Sequence, residues 1–547
     1  MRFGDSALAN PLGGNTLGGV KNFVQKVENS TTLAAPVGGI NARDSIANMD
    51  PTDAIKLENF FPYTLGCQVR QGYMVHTYGL PGRVETVATH LTDLNTEYLL
   101  AFSNGGLYNV TGGGAAPAPL LTGLTNNRWQ WVSFATAGGV FWVGVNGQDN
   151  PIIIDHNMTI SRLVAGNGTD PWTISGADPK TFTSVCIHQM RLWFVASNSS
   201  VGYYLPPSSL YGVLKTYPFG SLFRKGGWLV SQASWTVDAG DGPDDRLVTM
   251  SSAGEIVVYA GTDPSTTTTW GLCGVFFLGR PVGVRCMAKY GGDIAILCDQ
   301  GLASLNAILT STTVNTRTSF FSDKIMNLIQ SEIQNWGPQF GWQPLVYPQQ
   351  NMLILNVPDS NYQNGLQLVM NTITSAWTTF AGMNALCWTN YGAQIFYGTA
   401  DGHVYQGLTG FLDGFDTYHS VVGTDINAVA ITSFSYFQTP GQNKDFTMVR
   451  PTLVGVNKPS VALQANMAFI TTDPPDCPVA STVGFPTWDG ANWDVTAWTG
   501  NNRTFNDWFG VGGIAYAAAL AMRVKAKDQV AWASTDWVFQ IQKGTVI

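Results

Sequence analysis

The sequence predicts an all-β protein: a β-propeller with short helical insertions and a C-terminal β domain. Three observations predict it. First, a local pattern recurs from about residue 80 to 415, in which an apolar strand, a Gly/Asn/Asp turn and a second strand follow one another. About seven such hairpins stand at spacings of roughly 40 to 65 residues, near or above the length of a propeller blade. Second, the strands are continuous apolar runs, such as Ile294-Ala295-Ile296-Leu297-Cys298, rather than alternations. Runs of that kind suit sheets packed on both faces. Third, 547 residues exceed one ordinary core, and 45% of them are hydrophobic while only 12% are charged.

In chain order, residues 1–34 read as a Gly/Asn/Ser/Thr-rich arm, with Phe23 to Val27 as a strand that pairs elsewhere. Residues 35–80 read as an anchor segment. In it Pro36, Gly38 and Gly39 interrupt regular structure. Asp50 as a cap and Pro51 as a first helical residue predict a short helix, ended before Pro62, and Val69 to Tyr73 predicts the first strand. Residues 81–419 carry the propeller hairpins. They include Tyr98–Tyr108, Val140–Gly147, Leu192–Ala196 with Val201–Tyr204, Glu255–Tyr259, Asp293–Leu302, Met352–Val357 and Gln394–Tyr405. One segment breaks the β pattern: Ile325, Leu328, Ile329 and Ile333 fall on one helical stripe, with Ser322 as its cap. Residues 420–547 read as a separate β domain, with alternation at Ile431–Phe437, strands at Met448–Val456 and Val461–Ile470, and Trp-rich loops from Trp488 to Trp508.

The formal net charge is −8, which argues against a protein that grips nucleic acid by its overall field. An acidic wall would instead repel phosphates and let nucleic acid pass. The cysteine count is seven, without a CxxC pair, and several lie in apolar runs, so buried free thiols and folding in a reducing compartment are expected. Met1 to Asp5 starts without the apolar core of a signal peptide, and Val511–Met522 is too short and Gly-rich to span a bilayer, so a soluble protein made in the cytoplasm is expected.

Catalytic and metal-binding patterns are scarce. None of the six histidines stands at metal-ligand spacing from another His or Cys, and P-loop, GxSxG and HExxH patterns are missing. His188 reads as a satisfied, half-buried residue rather than a base. No catalytic residue, cofactor or metal is therefore assigned. The densest charge cluster is Asp238-Ala239-Gly240-Asp241-Gly242-Pro243-Asp244-Asp245-Arg246. Its spacing is not an EF-hand, and adjacent loop carboxylates do not make a glycosidase pair without geometry. The residues favour a solvated turn between blades with Arg246 pairing one carboxylate, which is compatible with an acidic rim on a channel. Sialidase-type Asp-box turns are missing too; Ser375-Ala376-Trp377 and Ser234-Trp235 do not fit them.

The anchor segment carries a resemblance. Gly38, Gly39 and Asn41, then Asp50, Pro51, Ala54, Asn59 and Pro62, then Arg70 and Gly72 stand in an order that resembles the N-terminal region of tail nozzle proteins of short-tailed bacteriophages. These are also called tail tubular protein B or packaged-DNA stabilisation proteins. Val237–Gly242 with Ile256–Thr262 resembles that family's acidic turn and following strand, and Lys444–Phe446 with Val449–Pro451 and Val454-Gly455 resembles its C-terminal strands. The resemblance implies a non-enzymatic virion protein of the tail, assembled in the host cytoplasm. It implies a homohexameric ring docked on a head-to-tail adaptor, carrying tail fibres or a distal plug. Its lumen would retain and then conduct double-stranded DNA without sequence-specific binding, and Asp238, Asp241, Asp244 and Asp245 would be candidates to line it.

The alternative is a tail-associated propeller that binds carbohydrate or depolymerises polysaccharide, supported by the aromatic surplus. A cell-surface adhesion module is a third possibility, disfavoured by the odd cysteine count.

Overall fold

The computed structural model describes residues 28–92, 96–236, 245–310, 319–478 and 503–542. Its strands build a propeller and a β-sandwich, and the chain enters the sandwich before it builds the propeller.

Five blades are separate antiparallel sheets. They span Val84–Asn109, Gln130–Arg162, Phe182–Tyr217, Leu229–Phe277 and Met287–Ser304. Two four-stranded arcs of a larger sheet complete the ring. One contains Gln343–Tyr347, Met352–Val357, Leu366–Asn371 and Trp377–Ala381. The other contains Ala385–Tyr391, Gln394–Thr399 and Val404–Gly407, and its outer strand, Tyr73–Tyr78, comes from the start of the chain. The innermost strands touch in succession, and Ala385–Tyr391 meets Val84–Leu91 to close the circle. A strand from before the first blade thus fastens the last one.

Burial on both faces explains the apolar runs. Met352–Val357 is buried at every position, as is Ile294–Cys298. Adjacent blades share apolar clusters: Phe102, Trp129 and Trp142 between the first two, Val143, Ile153, Phe182 and Phe194 between the next, then Trp193, Tyr204, Val257 and Trp270. Val84 and Leu99 pack on Cys387 and Phe396 where the ring closes. Truncating a buried Trp in these clusters should cost about 3–5 kcal/mol.

The sandwich draws on both ends of the chain. In one sheet Asp53–Glu58 lies between Gly39–Ile40 and Thr424–Thr432, which pairs on with Ala518–Ala526 and Ser460–Met467. In the facing sheet Asn29–Ala34 and Gly66–Val69 pair with Val530–Ile541, beside Lys444–Gly455. Ala54, Leu57, Phe60, Ile426, Leu520, Met522, Trp532 and Trp537 fill the space between them. The β domain expected at 420–547 therefore includes strands from 29–69, and the propeller is inserted between its two sets of strands. Residues 29–34 of the expected arm form a sandwich strand, with Thr32 Oγ1 donating to Asp536 at 2.6 Å. The strand expected at Phe23–Val27, and the Trp-rich loops from Trp488 up to residue 502, lie outside the described residues.

Three local expectations are corrected. The first strand expected at Val69 to Tyr73 is instead the link between strands Gly66–Val69 and Tyr73–Tyr78, and four strands precede Gly66–Val69. The short helix after Asp50 is a turn followed by strand Asp53–Glu58. Asp50 does cap, accepting from Thr52 N at 2.8 Å and Thr52 Oγ1 at 2.7 Å, but the capped turn closes at Asp53. An Asp-Pro start serves a turn as well as a helix, and pairing on both sides decides for strand. The helix at Met326–Trp336 forms, with Ile325, Leu328, Ile329 and Ile333 against the core. Ser322 does not cap it; its hydroxyl accepts from Leu302 N at 3.0 Å, tying the segment to a blade.

The cysteines are free thiols. Cys67, Cys186, Cys286, Cys298 and Cys387 are buried, and burial pushes Cys186, Cys286 and Cys298 up to about 12 and Cys387 up to about 11. Cys273 is exposed. In an Ellman titration of the native protein, Cys273 should react at once and those five only after denaturation; fast reaction of several buried thiols would mean that the blades open readily.

Candidate functional site

The family-like residues of the anchor segment converge on the junction between sandwich and propeller. Arg70 is buried, and its guanidinium makes a bidentate pair with Asp413, at 2.7 Å from Oδ1 and 2.6 Å from Oδ2. Its Nε donates to Asn59 Oδ1 at 2.8 Å and its Nη2 to the Ala381 carbonyl at 2.6 Å. Asn59 holds a left-handed backbone at φ 57° and bridges further, donating from Nδ2 to the Asn427 carbonyl at 2.8 Å and accepting from Ala381 N at 2.9 Å. One guanidinium and one amide thus join the anchor, a propeller arc, the 412–415 strand and the sandwich. A Cβ on Gly72 would collide with the Leu412 carbonyl, so the chain passes there only as glycine.

The other residues of the anchor series secure the neighbouring turn. Gly39 has φ 75°, and a Cβ there would lie 2.5 Å from the backbone N and O of Trp377. Gly38 N donates to the Thr52 carbonyl at 2.8 Å. Asn41 donates to Asp53 Oδ2 at 2.7 Å and Asp44 Oδ2 at 2.9 Å. Lys324, just ahead of the helix, pairs with Asp53 at 2.8 Å, and Arg43 pairs with Asp44 and Asp323. Hydrogen bonds from Arg43 and Asn41 hold the Asp44 carboxyl well below the usual range. The Pro51 carbonyl accepts from Ser433 and the Pro62 carbonyl from Asn371, while Ala54 is wholly buried. Asp413 and Lys324 escaped the sequence reading, because their partners stand hundreds of positions away and the residues look like ordinary surface charges.

The propeller axis holds a polar cavity of about 200 Å³. Gln130, Ser184, Ser231, Gln232, Arg285 and Gln343, from the inner edges of successive blades, are among its lining residues. The guanidinium of Arg285 lies 5.1 Å from the Phe340 ring. A lone Arg between Val284 and Cys286 was the available signal in the sequence.

Of the acidic loop, Asp238, Asp241 and Asp244 lie outside the described residues. The strands that it joins, Leu229–Trp235 and Arg246–Ser251, are the innermost and second strands of one blade. Arg246, expected to pair with a carboxylate, has its guanidinium 5.0 Å from the Trp235 ring. His188 is fully buried rather than half-buried; its Nδ1 lies 3.0 Å from Ser234 Oγ, and burial pushes it down to about 4, so it stays neutral. A small groove of about 60 Å³ is lined by Tyr73, Tyr362, Tyr397, Tyr405, Asn384 and Asp401. Among the described residues there is no group of three or more His, Cys, Asp or Glu that could hold a metal, and no helix long and apolar enough to cross a membrane.

No family model matches the chain, and no curated protein matches it. Solved structures similar to it include BBS1N in complex with ARL6DN, at 13% identity and a TM-score of 0.37, covering 62% of this chain and 98% of that one. The computationally designed Ika8 protein matches at 9% identity and a TM-score of 0.35, covering 62% of this chain and 100% of that one. Apo AztD from Citrobacter koseri matches at 10% identity and a TM-score of 0.30, covering 54% of this chain and 86% of that one. At these TM-scores the likenesses do not bear on what the chain does.

Arg70→Met should destabilise the protein by about 3–5 kcal/mol, since it leaves Asp413 half-buried without its cation. Asp413→Leu in the same background should recover part of that loss. Urea unfolding of the single and double variants checks this; an Arg70→Met protein as stable as the parent would remove the junction's claimed role.

Proposed function

We propose that this chain is a structural wall subunit of a ring-shaped DNA conduit, the tail nozzle of a short-tailed bacteriophage virion. The observation that carries the reading is the junction. Of the anchor residues that resemble the nozzle family, Gly39, Asn59, Pro62, Arg70 and Gly72 fasten propeller to sandwich by a close backbone approach or a hydrogen bond, and Asp50 and Asn41 secure the adjoining turns. A residue series with such constraints identifies an architecture better than loose surface matches would.

The propeller axis itself is no conduit. A cavity of about 200 Å³ cannot admit a duplex whose major groove alone is about 12 Å wide. Any DNA path therefore runs between copies of the chain, with propellers as its wall. Head-to-tail contacts around a closed ring would cover much surface per subunit, in keeping with a charged fraction of only 12%. Net charge −8 leaves few phosphate contacts, so DNA would slide rather than stick. Adaptor, fibres or distal plug would occupy the ring's two ends.

A second reading, a carbohydrate-binding or depolymerising propeller, draws on the tyrosine groove, where ring faces, an amide and a carboxylate meet. At about 60 Å³ the groove holds roughly two waters at about 30 Å³ each, less than a sugar ring needs. The nozzle reading is therefore preferred.

Electron microscopy of the protein assembled on its adaptor should show a six-fold ring with a continuous axial channel; a stable monomer that binds or cleaves polysaccharide would overturn the proposal. Asp241, Asp244 and Asp245 changed together to Lys should slow DNA ejection, or make it salt-dependent, with assembly intact. Unchanged ejection would return the loop to an ordinary solvated turn. Because residues 29–34 are a sandwich strand, the arm's role in docking is tested by removing residues 1–27 only. That truncation should weaken adaptor binding and leave the melting temperature unchanged.

A further inference from the structure

The axial cavity combines three features that a water-filled gap between blades does not require. The first is a cation without a direct ion-pair partner. Arg285 Nη2 donates to the Glu85 carbonyl at 3.2 Å, Thr86 Oγ1 at 2.8 Å and the Trp129 carbonyl at 3.1 Å, and Nη1 donates to Gln343 Oε1 at 3.4 Å. All four acceptors are neutral. The Glu85 carboxylate is engaged by Arg128 at 3.1 Å, and among the described residues no carboxylate stands within ion-pair distance of Arg285. Burial lowers its pKa, outweighing the opposing effects of Cys387 and of the Glu85 charge nearby.

The second feature is a pair of unsatisfied amides. Gln232 is 5% exposed, and its Oε1 lacks a partner although its Nε2 donates to Thr249 Oγ1 at 3.3 Å. Gln130 Nε2 is buried and lacks a partner as well. Each such group has lost its hydrogen bonds to water and regains none unless something enters to meet it. The third feature is placement. These groups, with the hydroxyl-bearing Ser184 and Ser231, come from different blades and line one cavity of about 200 Å³. That is room for about six waters at about 30 Å³ each, or for a small organic acid.

We propose that the propeller axis is a binding site for a small oxyanion, a carboxylate or phosphate group, with Arg285 supplying the charge and Gln130 Nε2 a directed donor. Gln232 Oε1, an acceptor, selects a ligand that also carries a hydroxyl or a protonated oxygen. In the partly desolvated axis such charge-assisted hydrogen bonds are worth more than at the surface. An anion there would also tie several blades together, so occupancy stabilises the ring by linkage. The site is independent of any nozzle role.

The test uses the full chain, with inorganic phosphate and glycolate titrated separately by calorimetry and by thermal melting. One or both should bind at millimolar concentration or tighter and raise the melting temperature, and the tighter one identifies the head group. Gln232→Leu and Arg285→Met should each weaken that binding by about tenfold or more. If Arg285→Met does not fold, Gln130→Leu takes its place beside Gln232→Leu. Failure of both anions to bind, or binding that is unchanged in the variants and hence an adventitious ion only, overturns the proposal.

Discussion

The pairing of Arg70 with Asp413 is the interaction on which the rest of the architecture rests. Arg70 follows the last anchor strand of the sandwich, and Asp413 lies in the strand Leu412–Phe415, between the last blade and the strand Thr424–Thr432. The chain leaves the sandwich at one of these positions and returns at the other, with the whole propeller between. A bidentate guanidinium–carboxylate pair fixes orientation as well as distance. Its burial means that the pair is costly to break singly. Asn59 and the Ala381 carbonyl extend the same network onto a propeller arc, adding side-chain links to the backbone pairing of Gly39 with Trp377 and Glu58 with Thr379 that already joins the two bodies in one sheet.

This arrangement explains an unusual division of labour along the chain. Tyr73–Tyr78 closes the last blade, while Asn29–Ala34 lies beside Val530–Ile541 in the sandwich. Both closures join segments hundreds of residues apart. Each requires the ordering of a very large loop before any pairing is gained, the regime in which folding is slow. The interblade clusters offset this locally. Each blade is a run of adjacent hairpins that can form before the ring closes, and neighbouring blades then share buried aromatic clusters.

Much of the propeller was legible because its signals are local. Hairpins at 98–108, 293–302 and 394–405 stand where alternating apolar runs and Gly/Asn/Asp turns put them, and the helix at Met326–Trp336 follows its apolar stripe. The misread pieces share a different cause. Asp50-Pro51 starts a helix or a turn with the same hydrogen bonds, and only the neighbours of Asp53–Glu58 choose strand. Ser322 has the chemistry of a cap, but Leu302 N competes for its hydroxyl and wins. Sandwich membership of residues 29–69 depends on partners beyond residue 424, and nothing within either segment announces the other. Arg285 is the sharpest case: an arginine inside an apolar stretch was visible, but its meaning depends on which blades meet at the axis.

Junction and axis solve opposite electrostatic problems. At the junction a buried cation meets a carboxylate and a full set of acceptors, so its charge is neutralised within the fold. At the axis a part-buried cation meets carbonyls, a hydroxyl and an amide, with the Glu85 carboxylate near but outside ion-pair distance, beside a cavity with amide groups left over. Stability alone would favour an apolar residue over an uncompensated arginine, because the desolvation cost remains while the ion-pair gain is missing. Arg70 is thus accounted for by the fold that it locks. Arg285 is accounted for in part by the carbonyls that it clamps and by the Glu85 charge nearby, and the proposed anion would supply the direct partner that it lacks.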